Sequence, residues 1–242
     1  MNDKFKNLND FKAPNEIASS FVISEKKKFI YVTNAKVATT DTKLSLWAYE
    51  MGDPSLKNVK KNSEAHKISR DYFNSMLEYD DPGTLLASPD YFTFSIVRNP
   101  YSRLLSAYLD KIIRPTSPIR KVVLRNLGLD GEDPTIEIPF DAFVKLACSH
   151  PPQKTDRHWR LQRNNLFYGA FSYDLIGRLE RMDEFADNLA FHFGSDILEY
   201  FSARALRRTN ASDKVSDYYT PALKAKVYKT YQQDFVTFGY DQ

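Results

Sequence analysis

The chain has 242 residues, a formal net charge of +3 and one cysteine, Cys148. This length fits one α/β domain, the small charge gives no argument for a nucleic-acid partner, and a lone thiol excludes an internal disulfide. No apolar run approaches the roughly 18 residues of a membrane-spanning helix, and the amino terminus has no hydrophobic signal region. We therefore expect no transmembrane segment and a cytoplasmic location.

The first elements are a polar tail and a hairpin. Residues 1–19 are polar, and we expect a disordered or loosely docked tail ahead of a single domain over residues 20–242. Residues 20–34 predict a short hairpin whose second strand, FIYVTN, is buried. Apolar positions at helical spacing then predict a helix over 40–51. Lys36 therefore lies in a strand-to-helix loop.

This first loop has the chemistry of an anion site. A strand-to-helix loop presents backbone N–H groups and a helix dipole to an anion, and Thr39 and Thr40 can donate hydroxyls and cap the helix. The loop lacks the glycines of G-x-x-x-x-G-K-[ST], and Lys36 precedes the hydroxyl residues by three positions. Ordinary phosphoryl transfer is therefore not favoured.

A further helix is predicted over 66–78.

The stretch FTFSIVRNPYSRLLSAYLDK, residues 92–111, predicts a second anion site, which we call the clamp. Phe92–Val97 reads as a buried parallel strand, and Pro100 suits the first turn of the helix that follows. Arg98 leaves the strand as the helix opens, so its guanidinium, backbone N–H groups and the Ser106 hydroxyl can converge on one anion. The alternative is an arginine that caps its own loop beside a solvated serine.

The rest of the chain continues the alternation of strands and helices. Residues 113–139 read as an insertion near an acceptor site. The remaining predicted elements are a short helix over 119–127, a strand over 173–180, a helix around 183–193, and a final helix that opens at Pro221 after a Thr220 cap. This order predicts a parallel sheet with anion sites at its carboxyl edge. The four histidines show no ligand spacing, so no metal site is expected.

Together the two loops resemble the paired signature of sulfotransferases that use 3′-phosphoadenosine-5′-phosphosulfate. More narrowly, VISEKKKFIYVTNAKVATTDTK, a His-Trp pair, SYDLIGRLERMDEFADNL and the closing Y-x-x-D-F-x-x-F-G-Y helix resemble the chondroitin and HNK-1 type of carbohydrate sulfotransferase, sulfotransferase family 2. The resemblance implies a P-loop-like three-layer α/β/α fold with a central parallel sheet. The animal members are Golgi membrane proteins with an anchor and several cysteines, which this sequence lacks.

The resemblance also implies roles for both loops. The first loop, Lys36, Val37, Ala38, Thr39 and Thr40, would hold the 5′-phosphosulfate, with Lys36 donating to the bridging oxygen as the S–O bond breaks.

At the clamp, Arg98 and Ser106 would bind the 3′-phosphate, and Arg103 would either assist or pair with a nearby acid. The product would be adenosine 3′,5′-bisphosphate, formed by in-line displacement without a metal. The expected partner is a carbohydrate or other hydroxyl-bearing acceptor, including anionic ones. The sequence indicates neither the acceptor's identity nor the oligomeric state.

The catalytic base is the least determined residue. His158 is the first choice, because an imidazole titrates near neutrality and the residue lies in the family-like His-Trp pair beside arginines. His66 and Glu64 are the alternatives, and His158 could instead fix a loop by hydrogen bonds.

Two other functions remain open at this point. The first loop has Ala35 where the family usually has proline and Ala38 where many members have glycine, which keeps a catalytically inactive carbohydrate- or partner-binding relative in play. A nucleotide or sugar kinase would bind ATP and magnesium instead, and the missing Gly-Lys-[ST] element argues against it.

Overall fold

The computed structural model describes residues 8–58, 62–151, 154–201 and 211–242. The chain divides into two compact units, Met1–Val97 with Asn164–Arg207 and Arg98–Arg163 with Arg208–Gln242. This division does not test the prediction of a single domain over residues 20–242, which stays a prediction.

The first unit contains a four-stranded sheet in the order β1-β2-β3-β4. Its strands are β1 (Phe21–Ser24), β2 (Phe29–Val32), β3 (Phe92–Val97) and β4 (Leu175–Arg178). β1 is antiparallel to β2, as the predicted hairpin requires, whereas β2, β3 and β4 run parallel. The α/β class is therefore confirmed, but the sheet is mixed rather than parallel throughout, because a tight hairpin turn joins only antiparallel strands. The P-loop-like three-layer arrangement stays a prediction.

The α-helices follow one another closely along the chain. In order they are α1 (Pro14–Ala18), α2 (Thr39–Met51), α3 (Asn62–Tyr72), α4 (Pro82–Ala87), α5 (Pro100–Ala107), α6 (Pro118–Asn126), α7 (Phe140–Ala147), α8 (Gln162–Asn165), α9 (Met182–Phe193), α10 (Leu198–Phe201), α11 (Val215–Tyr218) and α12 (Pro221–Phe238). A π-helical turn, Tyr108–Ile112, continues α5.

Most helix predictions agree with these bounds to within a residue; the helix predicted over 66–78 does not. The chain leaves the helix after Tyr72, and a 3-10 turn covers Met76–Glu78. Ser75 and Glu78 form a capping box there, which begins a new turn instead of extending α3.

The core of the first unit is built on the sheet. The strands β1 and β2 are buried at every position, and their side chains pack with α2, α9 and α10 in one apolar cluster. Gly177 in β4 allows one of these contacts, because a Cβ at this position would collide with the ring of Phe185 on α9. Burial on both faces explains why these strands read as continuous apolar runs in the sequence.

The second unit has a core of its own, in which α5, α7 and α12 contribute many aromatic side chains. Its buried tyrosines are satisfied by backbone acceptors: the hydroxyl of Tyr231 donates to the Trp159 carbonyl at 2.7 Å, and that of Tyr219 donates to the Tyr101 carbonyl at 3.0 Å. Each tyrosine therefore joins two segments that are distant in sequence.

The expectation of a disordered or loosely docked tail over residues 1–19 stays a prediction, and the structure describes this segment from Leu8 onward. Over its described part, a 3-10 turn at Leu8–Asp10 leads into α1, and Ile17 and Lys12 are buried. The ring of Phe11 packs edge-on against Phe167 at 5.8 Å. A few anchoring side chains hold the segment despite its polar composition. Among the described residues, no helix is both long and apolar enough to cross a membrane.

Candidate active site

The first loop begins where β2 ends and has an unusual backbone. Lys36 and Ala38 both adopt left-handed conformations, with φ of 69° and 60°. Val37 lies between them with its side chain in the core of the first unit, fully buried. The buried side chain of Val37 thus anchors the loop to the core, while the Lys36 side chain is half-exposed. A left-handed conformation costs a non-glycine residue roughly 1 kcal/mol, so this geometry opposes intrinsic preference.

The amino terminus of α2 is arranged differently from the prediction. Ala38, not a threonine, is the N-cap, and alanine has no polar side chain with which to cap the helix. Thr39 donates its hydroxyl to the backbone carbonyl of Asn34, and Thr40 occupies the first helical turn half-exposed. The predicted capping by threonine is therefore wrong, because Thr39 closes the loop on itself instead. A helix start without a side-chain cap is suited to binding an anion.

Two polar side chains that lie next to the first loop, Asn34 and Tyr31, are buried. Asn34, 1% exposed, donates from Nδ2 to the carbonyl of Ile96 at 3.2 Å and so ties the loop to the end of β3. Tyr31 is fully buried in β2, and burial raises the pKa of its hydroxyl well above the ordinary value, although Thr39 and Thr42 oppose the shift. The Tyr31 side chain therefore stays neutral beneath the loop.

The clamp begins at the first residue after β3. Asn99 caps α5 by accepting a hydrogen bond from the backbone N–H of Tyr101 at 2.9 Å, and Pro100 occupies the first turn as predicted. The Arg98 side chain is 4% exposed; its Nε donates to Ser102 Oγ at 2.9 Å and its Nη2 to Ser212 Oγ at 3.4 Å. Ser106 lies on the same helix and is 1% exposed. The predicted guanidinium and hydroxyl are thus both buried.

Two residues without a predicted role support Arg98, Gln162 by direct hydrogen bonds to its backbone and Asp234 through Gln162. Gln162 accepts the Arg98 N–H at 2.9 Å and donates to the Arg98 carbonyl at 2.8 Å. Asp234 on α12 accepts the backbone N–H groups of Gln162 at 2.7 Å and of Arg163 at 3.1 Å. Burial raises the pKa of Asp234 to about 6, and these hydrogen bonds limit the rise. Asp234 is the aspartate of the closing Y-x-x-D-F motif, so the sequence carried a signal for it.

Arg103 also acts on the backbone. Its guanidinium is 2% exposed and donates to the carbonyls of Arg160 at 2.8 Å and of Arg157 at 3.0 Å. Burial lowers the pKa of Arg103, and the neighbouring charge of Asp234 opposes the change. These contacts brace the turn that carries His158. Neither predicted alternative for Arg103, assisting the donor or pairing with an acid, included them.

His158 forms a pair with Asp156. Its Nδ1 lies 2.6 Å from Asp156 Oδ1, and its backbone N–H donates to the same oxygen at 2.9 Å. Burial lowers the pKa of His158 below its ordinary value, and Asp156 opposes this shift. The ring is therefore neutral at neutral pH, and we assign its proton to Nδ1, which leaves Nε2 as the proton acceptor.

Of the two alternative bases, one has less support than His158 and the other cannot be compared with it. The side chain of His66 lies outside the described residues, and Glu64 is half-buried on α3 in the first unit. Cys148 is partly buried, and burial raises the pKa of its thiol, as expected for a structural cysteine. Over the described part of the chain, no cluster of His, Cys, Asp and Glu could hold a metal ion.

Comparison with known proteins gives one consistent picture. The model of the sulfotransferase family matches residues 19–241. Carbohydrate sulfotransferase 14 of Danio rerio is 26% identical, over 90% of this chain and 61% of its own length. Carbohydrate sulfotransferase 12 of Mus musculus is 24% identical over 94% and 61%, and carbohydrate sulfotransferase 10 of Xenopus laevis is 21% identical over 100% and 73%. The match thus spans about three fifths of the first two relatives. No solved structure matches the chain.

These relatives correct the predicted location. Carbohydrate sulfotransferases act in the Golgi lumen, which conflicts with a cytoplasmic location, so that prediction is wrong. The prediction relied on a lone cysteine and on the lack of a hydrophobic signal region in the sequence. Neither feature determines the compartment in which a protein works.

Proposed function

This chain belongs to the sulfotransferase family, and we propose that it transfers a sulfuryl group from 3′-phosphoadenosine-5′-phosphosulfate to a hydroxyl of a carbohydrate acceptor. The observation that carries the proposal is the family match over residues 19–241, which spans the first loop and the clamp in full. The relatives named carbohydrate sulfotransferases support the class of acceptor.

The first loop fits the phosphosulfate end of the donor. The donor supplies a sulfuryl group attached to a phosphate that can leave. Lys36 contributes an ammonium group, and the start of α2 contributes backbone N–H groups and the positive end of a helix dipole. Lys36 stabilises the negative charge that builds on the bridging oxygen as the S–O bond breaks, so its effect is largest in the transition state.

The clamp fits the 3′-phosphate. Arg98 keeps a fixed charge, and its guanidinium donates to the neutral hydroxyls of Ser102 and Ser212, which orient it. Ser106 adds a hydroxyl donor from the next turn of α5. Gln162 fixes the backbone of Arg98 from both sides, so the position of the guanidinium is set before any ligand arrives.

His158 is the base that we assign to the acceptor. The acceptor oxygen forms the new O–S bond, the S–O bond to the phosphate breaks, and the hydroxyl proton passes to His158 Nε2. Asp156 holds Nδ1–H and stabilises the imidazolium that results.

This role has a testable pH dependence. Because burial lowers the pKa of His158, activity should fall on acidification with an apparent pKa below the ordinary 6.5. Asp156→Asn removes the charge that opposes this shift, so the acidic limb should move to still lower pH while kcat falls. An unmoved limb would remove His158 from this role.

The donor site is tested first by calorimetric titration. We expect adenosine 3′,5′-bisphosphate to bind, AMP to bind more weakly, and ATP with magnesium to give no comparable signal. Arg98→Ala should abolish binding of the bisphosphate, because it removes the charge assigned to the 3′-phosphate. Arg125→Ala is the matched control in the same unit, since Arg125 is exposed and pairs with Glu132 at 2.6 Å.

The possible results separate the functions. Preference for ATP with magnesium would favour a kinase, and no binding of any nucleotide would defeat the proposal. Labelled sulfate transfer to sugar acceptors then separates an enzyme from an inactive relative that only binds the donor.

A further inference from the structure

The amino-terminal segment, residues 8–20, contributes a buried lysine to the first unit. Lys12 is 8% exposed, and its Nζ donates to Ser20 Oγ at 2.7 Å and to the backbone carbonyl of Asn165 at 2.7 Å. The same ammonium lies over the ring of Phe167, 4.4 Å from its centroid. Removing a charge from water is costly unless its hydrogen bonds are replaced, so these contacts strongly constrain the position of Lys12.

The acceptor of Lys12 leads directly to the first loop. Asn165, 2% exposed, donates from Nδ2 to Asn34 Oδ1 at 3.2 Å. Asn34 in turn accepts the Thr39 hydroxyl at its backbone carbonyl. Three consecutive contacts therefore connect the ammonium of Lys12 to the residue that begins α2.

A second path starts at the other acceptor of Lys12. The Ser20 hydroxyl donates to the carbonyl of Glu16 at 2.7 Å, which closes α1. The Ser20 carbonyl accepts the N–H of Thr33, the first residue after β2, at 2.7 Å. Lys12 is therefore connected to the first loop at its start, through Ser20, and at its end, through Asn165 and Asn34.

We infer that residues 8–20 form a positioning element of the donor site, in which Lys12 holds the first loop through Ser20, Asn165 and Asn34. This inference rests on the proposed function, which assigns the 5′-phosphosulfate to that loop. Lys12 itself touches no reacting atom. Its effect is to hold Asn34, and hence the left-handed turn at Lys36 and Ala38, in the geometry that receives the anion.

The inference makes a selective prediction about ligands. Adenosine 3′,5′-bisphosphate carries the 5′-phosphate that the first loop should bind, whereas adenosine 3′-monophosphate lacks it. Lys12→Met keeps the aliphatic stem and removes the charge. We expect the dissociation constant of the bisphosphate to rise roughly tenfold and that of the 3′-monophosphate to stay within about twofold, because one buried charged hydrogen-bond set is lost on one side of the ligand only. Lys12→Arg should recover most of the affinity.

The control is Lys27→Met. Lys27 belongs to the same unit and also lies over an aromatic ring, that of Tyr49 at 4.2 Å, but it sits in the hairpin turn before β2 rather than in the loop after it. Both ligands should bind this variant as they bind the wild type. If Lys12→Met does not fold, Asn165→Ala replaces it, since this change breaks the link to Asn34 and keeps the carbonyl that Lys12 contacts.

A second readout needs no ligand. Hydrogen exchange on the free protein should show faster exchange of the amides at 36–42 in Lys12→Met, with the hairpin turn at 25–28 unchanged. A wild type that binds no bisphosphate would defeat the proposed function, and exchange alone would then decide this inference. Equal weakening of both ligands, or unchanged exchange at 36–42, would show that Lys12 only stabilises the fold and would overturn the inference.

Discussion

The first loop and the clamp each follow a strand of the parallel part of the sheet, yet they are held in different ways. The first loop is defined by its backbone, with two left-handed residues and a threonine hydroxyl that closes on Asn34 five positions away. The clamp is defined by buried side chains, and the backbone of Arg98 is fixed by Gln162, 64 positions along the chain. A change in backbone preference should therefore affect the first loop, and loss of a distant polar partner should affect the clamp.

The largest expected effect is on the chemistry at the first loop. Lys36→Met should lower kcat by a factor on the order of 100 to 1,000, because the proposed role of the ammonium is to stabilise charge that develops only in the transition state. Affinity for adenosine 3′,5′-bisphosphate should fall much less. Steady-state sulfate transfer and calorimetry measure the two quantities, with Lys27→Met as the control. A variant with normal kcat would remove the distinction between the catalytic loop and the binding clamp.

The stability of the protein should depend on pH through Asp234, which supports the clamp through Gln162. Its pKa of about 6, against an ordinary 3.8, means that the folded protein binds this proton more tightly than the unfolded chain. The contribution of Asp234 is therefore fully present below pH 3.8 and is lost as the pH rises through about 6, by about 3 kcal/mol. Asp234→Asn cannot titrate. Denaturant unfolding of both proteins from pH 3.5 to 7 should show the wild type losing stability relative to the variant over this window, and a constant difference would contradict the assignment.

A smaller effect is expected from the residue that holds Arg98. Gln162→Ala removes both hydrogen bonds to the Arg98 backbone and leaves buried groups unpaired, which should destabilise the protein by about 2 kcal/mol and weaken bisphosphate binding severalfold. Gln233→Ala is the matched control, because the hydrogen bond that Gln233 accepts from Arg163, at 3.2 Å, is exposed to solvent. Equal effects of the two substitutions would mean that Gln162 does not position the clamp.

The smallest effect should have the opposite sign. Ala38→Gly should stabilise the protein by about 1 kcal/mol, because glycine adopts the left-handed conformation of the N-cap without the steric cost that alanine bears. Ala190→Gly in the interior of α9 should destabilise by a similar amount. Thermal or denaturant unfolding measures both. If Ala38→Gly also destabilises, the backbone of the first loop is not strained in solution.

Much of the fold could be read from the sequence. The buried strands of the hairpin and of β3, the helix after the first loop, Pro100 at the start of α5 and the Thr220 cap of α12 all follow from local patterns. The antiparallel direction of β1 follows from the predicted hairpin, although the sheet as a whole was expected to be parallel. The helix predicted over 66–78 runs past the end of α3 because apolar residues continue at helical spacing beyond Ser75, whereas the α-helix does not.

The candidate site was predicted less completely. Lys36, Arg98 and Ser106 were named because strand-to-helix loops with cationic and hydroxyl residues have a recognisable local pattern, and their roles stay predictions. Gln162 and Asp156 were not found, since neither amide nor carboxylate has a sequence signature that distinguishes a buried partner from a solvated residue.

The sequence by itself determined most of the elements, the family and the positions of the two loops that we propose as anion sites, because each depends on residues close together in the chain. Only the tertiary structure decided that Ala38 is a left-handed N-cap, that Gln162 holds the backbone of Arg98 while Asp234 holds that of Gln162, and that Lys12 is buried beside Asn165. These features depend on contacts between residues far apart in sequence. Burial changes both the charge preference and the hydrogen-bond partners of a polar side chain, and no local pattern encodes which distant group will bury it.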